Sequence, residues 1–265
     1  MIDGKKIIVV IPSGRKQYLE ILLPHIVNQT KYIDEIHFWL NTTNPKDIDY
    51  IKDIQKSNNR LYKIIYSKIP INYASSIYHF WYEACDSNTI YIRFDDDICW
   101  IDKNFIINLV ECRLLNLKPL LIFPIIVNND MNYGLVSKFG SDYYHHWYYY
   151  PEYGAQSHGL FFNWLKREYS NNFNFGNIKV PLERTLNINS ICWIGEDIQK
   201  INFKTTSEEV EISHIIPNRL NRPHLICGSS VCCHFSFTSQ REYIHKQTKY
   251  YQKYSVLSKN IQLCT

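Results

Sequence analysis

Short apolar runs alternate with segments of helical periodicity through the first half of this 265-residue chain, and this alternation limits the possible folds most strongly. Residues 6–11 form a continuous, mostly β-branched run that ends at Pro12-Ser13-Gly14, which is typical of a buried parallel strand followed by a turn. A helix is predicted next, kinked or ended by Pro24. Further strands are predicted over 34–40, 61–66, 89–94 and 120–127, and helices over 47–55, 74–85 and 103–116. This order predicts an α/β fold with a mostly parallel sheet covered on both faces.

Three consecutive carboxylates, Asp95-Asp96-Asp97, close the predicted strand Thr89–Phe94. Adjacent carboxylates repel one another, and a proton or a divalent cation has to relieve that repulsion. Hard oxygen ligands suit Mg²⁺ or Mn²⁺, which usually leave coordination positions open for substrate phosphates. The pattern therefore indicates nucleotide-phosphate chemistry, with an acidic turn or helix cap as the alternative.

Polar residues follow three of the predicted strands, and parallel strands end at one edge of a sheet, where ligands bind. The three ends are Pro12-Ser13-Gly14-Arg15, Asn41-Thr42-Thr43-Asn44 and Asp95-Asp96-Asp97. No GxGxxG follows the first strand and no GxxxxGK[ST] occurs in the chain, so the dinucleotide-binding and P-loop interpretations lose their support. Phosphate would then be held by a metal and by basic side chains.

Composition favours one domain over residues 1–265 and excludes several classes of function. The net charge of +4 is spread along the chain without a basic stripe, which predicts no nucleic-acid partner. The N-terminus lacks the pattern of a secretory signal, and the longest apolar stretch, 120–127, is too short to span a bilayer. We therefore expect a cytoplasmic protein with no transmembrane segment and with eight reduced cysteines. Cys227, Cys232, Cys233 and His234 are a zinc alternative, although no CxxC pair is present.

The second half, residues 128–265, is aromatic and irregular, especially from Tyr143 to Tyr153 and from His158 to Phe162. Aromatic rings with polar edges stack on the apolar faces of sugars and bases, and they also fill cores and interfaces. Both interpretations stay open from the sequence.

Taken in order, five segments of the chain resemble nucleotide-sugar-dependent glycosyltransferases of the GT-A fold, particularly the small glycosyltransferase domains of large DNA viruses, such as a chlorovirus rhamnosyltransferase domain. These segments are Ile11-Pro12-Ser13-Gly14-Arg15, Trp39 to Asn44, Tyr91 to Asp97, Trp193-Ile194-Gly195-Glu196-Asp197 and Cys233-His234-Phe235-Ser236-Phe237. The resemblance covers nearly the whole chain. It implies a Rossmann-like, mostly parallel sheet flanked by helices, with a nucleotide-binding half (1–127) and an irregular, aromatic-rich acceptor-binding and catalytic half (128–265).

The resemblance also implies roles for individual residues. Asp97 and His234 would bind Mn²⁺ or Mg²⁺, with Asp96 as a possible second carboxylate ligand, and Asp197, beside Glu196, would be the general base of an inverting reaction. Apart from the resemblance, the aromatic stretch itself leads us to expect that Trp147 and His158 face the acceptor. The nucleotide sugar, with UDP favoured, would contact Pro12, Ser13, Arg15, Asn41, Arg93, Asp95, Asp96, Gln240 and Arg241.

The expected function is transfer of a hexose or deoxyhexose from a nucleoside-diphosphate sugar to a hydroxyl of a glycan. A sugar-phosphate nucleotidyltransferase is one alternative, although its usual Gly-rich basic loop is missing after the first strand, where Pro12-Ser13-Gly14-Arg15-Lys16 has one glycine. A non-catalytic glycan-binding module is the other, and it leaves the acidic clusters unexplained. The oligomeric state is not indicated by the sequence.

Overall fold

The computed structural model describes residues 1–129, 150–167, 174–199, 201–203 and 207–262, which form a mixed α/β fold. The strands are β1 (Lys6–Ser13), β2 (Glu35–Leu40), β3 (Tyr62–Tyr66), β4 (Thr89–Phe94), β5 (Ile98–Ile101), β6 (Ile122–Val127), β7 (Ile178–Val180), β8 (Ser190–Ile194) and β9 (His224–His234). The helices are α1 (Lys16–Val27), α2 (Pro45–Ser57), α3 (Phe105–Leu115), α4 (Pro151–Arg167), α5 (Gly195–Gln199), α6 (Glu208–Val210), α7 (Ile216–Leu220), α8 (Thr238–Gln247) and α9 (Tyr250–Gln262). Short 3₁₀ helices cover Thr30–Tyr32 and Tyr73–Glu83, and a π-helical turn covers Glu211–Ile215.

All strands of the described ranges lie in one sheet, in the order β3-β2-β1-β4-β8-β6-β9-β5, with β7 paired to β9. Strands β1 to β4 are parallel, and so are β6 and β9. Strand β8 runs antiparallel to both β4 and β6, so it reverses direction between two parallel groups. The start of β8 therefore lies at the same edge as the ends of β1, β4, β6 and β9.

The core explains why the early strands were predictable. Residues 7–11 of β1 and the whole of β4 are buried, as expected for strands covered by helices on both faces. The predicted mostly parallel sheet flanked by helices is confirmed. Seven cysteines of the described ranges are all free thiols, as expected for this chain.

Three local features differ from the sequence analysis. Helix α1 continues through Pro24 to Val27, so Pro24 does not end it. The segment predicted as a helix over 74–85 is a 3₁₀ helix, Tyr73–Glu83. Strand β5 was not predicted, because four residues directly after an acidic turn carry too little periodicity to identify.

A cluster of aromatic side chains fixes β8 against β4 and the 3₁₀ helix. The Trp193 ring lies 5.4 Å from that of Tyr91 and 4.5 Å from that of Trp81, and the Trp193 indole donates to the Ala84 carbonyl. This packing holds the antiparallel strand in register, so that Ser190 is beside Phe94 and Ile194 is beside Ile90. Within the described ranges, no helix has the length and apolar character needed to cross a membrane.

Candidate active site

The predicted convergence of strand ends is present at one edge of the sheet. The Asn41 amide donates to the Ser13 carbonyl at 2.9 Å, which joins the ends of β1 and β2. The Gly14 amide donates to Oδ2 of Asp96 at 3.0 Å, which joins β1 to β4. The acidic triplet therefore lies beside the loop that follows the first strand.

Arg15 bridges the two buried carboxylates of this triplet. Its Nε donates to Oδ1 of Asp96 at 2.9 Å, and its terminal nitrogen lies 3.0 Å from Oδ2 of Asp97. Asp96 and Asp97 are almost fully buried, whereas the Arg15 side chain is about one-third exposed. Arg15 therefore links two buried carboxylates and is itself partly exposed to solvent.

Two further basic groups surround Asp97. Arg241 lies 3.4 Å from Oδ2, and Nε2 of the buried His234 lies 3.5 Å from Oδ1. Burial alone would raise the pKa of Asp97, but the charges of Arg15, His234 and Arg241 outweigh burial and lower it. Burial would lower the pKa of His234, and the Asp97 carboxylate raises it instead. Asp97 is thus held ionised beside two arginines and a histidine.

Asp96 behaves differently from its neighbour. Burial dominates there and raises the pKa of Asp96, despite the contacts with Arg15 and the Gly14 amide. Both Asp96 oxygens have donors from this loop. Asp97 is therefore the carboxylate of this pair that faces His234.

A second polar cluster lies on the other side of the triplet. Arg93 pairs with Asp95 at 2.8 Å and with the buried Glu208. Asn189, directly before β8, donates to Oδ2 of Asp95 at 2.8 Å, and Asn129 donates to Asn189 in turn. Burial raises the pKa of Glu208. The sequence-predicted residues Arg93 and Asp95 are joined here to a glutamate that the sequence analysis missed.

Glu209, the next residue, is the half-buried carboxylate of this cluster. It accepts from Nδ2 of Asn187 at 3.0 Å, and it lies close enough to Asp95 and Arg93 for their charges to affect it. Burial raises the pKa of Glu209 above its usual range. A partly exposed carboxylate with a raised pKa beside an acidic cluster is suited to accept a proton.

The structure does not bring Glu196 and Asp197 to this edge, which corrects their prediction as catalytic residues. Both follow the end of β8, and antiparallel pairing puts that end beside the start of β4. Gly195 packs against the Asp86 backbone, which precedes β4, and roughly 15–20 Å of strand separates this position from Asp95. Asp197 pairs with Arg222 at 2.6 Å, and Glu196 is exposed. Glu196 and Asp197 therefore lie at the sheet edge opposite the acidic triplet.

The predicted ligand contacts of His158 and Gln240 are also corrected, because both side chains are fully buried. The ring nitrogens of His158 pair with the Tyr254 hydroxyl at 2.8 Å and with the Phe235 carbonyl at 2.7 Å, so the ring does not face an acceptor. Gln240 accepts from Nδ2 of Asn128 at 2.9 Å and packs against Gly154, so it does not face phosphate.

The remaining predicted residues have mixed positions. Pro12 and Ser13 are buried, and the Ser13 hydroxyl donates to the Ile11 carbonyl, so neither side chain is presented to a ligand. Asn41 is half-buried at the site edge and accepts from the Ser76 hydroxyl at 2.8 Å. Trp147 lies outside the described residues.

Whether these residues fit a divalent cation depends on Asp97 and His234. No group of three His, Cys, Asp or Glu side chains is gathered as a metal cage in the described ranges, and Cys233 points away from His234 towards Tyr254, which removes the zinc alternative. Oδ1 of Asp97 and Nε2 of His234 lie 3.5 Å apart, close to the spacing of about 3 Å expected for neighbouring ligands of one cation. Nε of Arg241 is buried without a protein partner in the part of the chain described here, which suits an incoming anion. The donor pair fits a cation completed by phosphate and water.

Glu208 and Glu209 left only a weak signal in the sequence. They open a three-residue helix, and acids in a first turn are usually explained by the helix dipole. The position of Glu208 depends on Arg93, which is 115 positions away along the chain.

Comparisons with known proteins support the fold. No family model matches the chain, and no curated protein is recognisably similar to it in sequence. Among solved structures, it is similar to GalNAc-T7 with UDP, GalNAc and Mn²⁺, at a TM-score of 0.60 and 13% identity. That match covers 96% of this chain and 48% of the other, so the chain spans about half the length of GalNAc-T7.

Two other matches have lower TM-scores. A CMP:2-keto-3-deoxy-manno-octonic acid synthetase complexed with CTP matches at a TM-score of 0.51 and 7% identity, over 97% of this chain and 100% of that one. A mycobacterial protein matches at a TM-score of 0.50 and 12% identity, over 96% and 74% of the two chains. The predicted GT-A-like fold is therefore confirmed, and it is shared with GalNAc-T7 and with the synthetase complexed with CTP.

Proposed function

We propose that this chain is a glycosyltransferase that moves a hexose or deoxyhexose from a nucleoside-diphosphate sugar, with UDP favoured, to a hydroxyl of a glycan. One observation supports this most. Asp97, a carboxylate surrounded by basic side chains, lies at the same sheet edge as Glu209, a separate carboxylate whose pKa is raised. The first arrangement suits a diphosphate leaving group, and the second suits deprotonation of an acceptor.

The donor side is formed by Arg15, Arg241, Asp97 and His234. The two arginines are about one-third exposed, and their guanidinium groups are always charged, which suits binding of phosphate oxygens. Asp97 and His234 would hold Mn²⁺ or Mg²⁺, which when bound would neutralise the charge that develops on the leaving diphosphate.

The acceptor side is assigned to Glu209 in place of Asp197. Its carboxylate would take the acceptor proton as the acceptor oxygen forms its bond to the anomeric carbon. The bond between that carbon and the diphosphate oxygen breaks, and the nucleoside diphosphate leaves with the bonding electrons. Attack from the face opposite the leaving group gives inversion.

Glu208 would keep the base in place. It lies between the Trp81 indole and Arg93, and Arg93 is also paired with Asp95. A fully buried arginine shared by two carboxylates is rigid, so the strand carrying Asp95 and the helix carrying Glu209 keep a fixed relation.

A sugar-phosphate nucleotidyltransferase is the second candidate, because a solved synthetase complexed with CTP shares the fold. In this chain the Gly14 amide already donates to Asp96, so that amide is not available for a triphosphate. This favours the transferase. The resemblance to glycosyltransferase domains of large DNA viruses also favours the transferase.

A donor screen tests the proposal. The chain is incubated with UDP-, GDP- and dTDP-sugars and candidate glycan acceptors, with Mn²⁺ or a chelator, and released nucleoside diphosphate is measured. We expect release that requires Mn²⁺ and is lost in Asp97→Asn. Release of pyrophosphate from a nucleoside triphosphate and a sugar phosphate would instead identify a nucleotidyltransferase.

A further inference from the structure

Asn128, directly after β6, has an unusual backbone for a buried residue. Its φ is 58°, in the left-handed region that residues other than Gly, Asn and Asp rarely adopt. Asp3 and Asn221 are the other non-glycine residues with positive φ in the described ranges, and both are exposed. Asn128 is completely buried.

Contacts from three directions hold this conformation. The Asn128 amide donates to the Ser157 hydroxyl of α4 at 3.2 Å. Its side-chain Nδ2 donates to Oε1 of Gln240 at 2.9 Å and to the Phe235 carbonyl at 3.2 Å. Gln240, assigned to nucleotide-sugar binding from the sequence, therefore supports the Asn128 side chain.

The Asn128 carbonyl contacts the histidine of the candidate metal site, on the ring edge opposite to Asp97. Its oxygen lies 3.4 Å from Nδ1 of His234, and the opposite ring nitrogen, Nε2, lies 3.5 Å from Asp97. A carbonyl oxygen only accepts, so this contact requires a proton on Nδ1. A neutral imidazole with its proton on Nδ1 has its lone pair on Nε2, on the side of Asp97.

We propose that Asn128 is a positioning residue: its left-handed backbone directs the carbonyl to Nδ1 of His234 and so keeps Nε2 available, beside Asp97, to bind the cation. The proposal rests on the proposed function, because it assumes that Asp97 and His234 hold a metal. A hydrogen bond to the second nitrogen of a metal-binding histidine fixes its tautomer and orientation, and losing such a partner typically weakens metal affinity 10–100-fold.

Two substitutions separate the backbone from the side chain. Asn128→Gly keeps a left-handed backbone at no steric cost and removes the amide contacts with Gln240 and Phe235. Asn128→Val disfavours positive φ and displaces the carbonyl. Asn221→Val is the matched control, because Asn221 has a φ of 48° and lies at the opposite sheet edge, after α7. His234→Ala identifies the site itself.

The experiment measures Mn²⁺ affinity of the whole chain by electron paramagnetic resonance of the free ion, with and without UDP, together with the melting temperature. We expect Asn128→Gly to melt earlier and to bind Mn²⁺ within about twofold of the wild type. We expect Asn128→Val to bind Mn²⁺ at least about tenfold more weakly. Asn221→Val should melt earlier with unchanged affinity. If Asn128→Val does not fold, Asn128→Ala provides the same comparison.

Three results would overturn the inference. Wild-type affinity in folded Asn128→Val or Asn128→Ala would show that the carbonyl does not position His234. Equal weakening in Asn128→Gly would assign the effect to the side-chain amide. Mn²⁺ binding that His234→Ala leaves unchanged would overturn the metal site of the proposed function and this inference together.

Discussion

Substitutions of Glu209 and Asp197 should have opposite effects, because Glu209 is assigned to catalysis and Asp197 to stability. Glu209→Gln keeps the size and the contact with Asn187 but cannot take the acceptor proton. General-base catalysis contributes about 10²–10⁴-fold, so kcat should fall by that factor, or about 2.7–5.4 kcal/mol of barrier. Its melting temperature should change little, because the side chain is only half-buried.

Asp197→Asn should give the reverse. The Asp197 and Arg222 side chains are 16% and 25% exposed, so the ion pair lies between a surface pair, at about 0–1 kcal/mol, and a buried one, at about 3–5 kcal/mol when broken. Arg222 keeps its contacts with the Leu117, Lys118 and Pro119 carbonyls. We therefore expect a loss of about 1–3 kcal/mol in the free energy of unfolding, with kcat near the wild-type value.

The assay is nucleoside diphosphate release under saturating donor and acceptor, with thermal unfolding of the same samples. Glu196→Gln, at the same far edge and exposed, is the matched control for loss of a carboxylate. A folded Asp197→Asn enzyme without transfer activity, beside an active Glu209→Gln enzyme, would refute the reasoning and return the base to Asp197.

Two further predictions concern buried histidines. Burial lowers the pKa of His25 and of His224 to about 4 from an ordinary value of about 6.5, so the unfolded chain takes up protons first as the pH falls. The contribution of these histidines to the free energy of unfolding should be fully present above about pH 6.5 and should decline towards pH 4, with a loss of about 2 kcal/mol per histidine at about pH 5. His25→Gln and His224→Gln should each reduce this dependence of the unfolding free energy on pH, as measured by denaturant unfolding. A profile unchanged by either substitution would contradict this. His158→Ala should cost about 1–3 kcal/mol of unfolding free energy, because two buried hydrogen bonds are lost at about 0.5–1.5 kcal/mol each, while Tyr254 keeps Cys233 and the Phe235 carbonyl keeps Asn128 as partners. UDP affinity of the folded protein should stay unchanged. A raised acceptor KM with unchanged stability would instead restore its acceptor role.

The first half of the fold was largely predictable from sequence. Strands such as β1 are continuous apolar runs bounded by turn residues, and the helices between them carry helical periodicity. Parallel strands end at one edge, which predicts that the loops of Arg15, Asn41 and the acidic triplet meet, and the structure joins them there.

The second half was less predictable, because its site depends on strand direction. Asp197 follows a clear strand, Ser190–Ile194, and would reach the site edge if that strand were parallel to β4. It is antiparallel, so the residues before it, such as Asn189, reach the site. Strand direction is set by pairing between distant segments, and local patterns do not report it.

Burial explains the other differences. His158 and Gln240 are polar residues in aromatic or polar stretches, which suggested ligand contacts, yet both satisfy buried hydrogen bonds. A hydrogen bond between buried side chains and one to a ligand need the same residue types. Only the contacts distinguish the two.

Calorimetric titration of UDP, with Mn²⁺ and with a chelator, tests the central claim that Asp97 and His234 form the cation-dependent half of a donor site. We predict that UDP binds at least about tenfold more tightly with Mn²⁺, or about 1.4 kcal/mol, and that Asp97→Asn abolishes this difference while the protein stays folded. Equal UDP affinity under chelation, or a Mn²⁺ effect that persists in Asp97→Asn, would contradict the account.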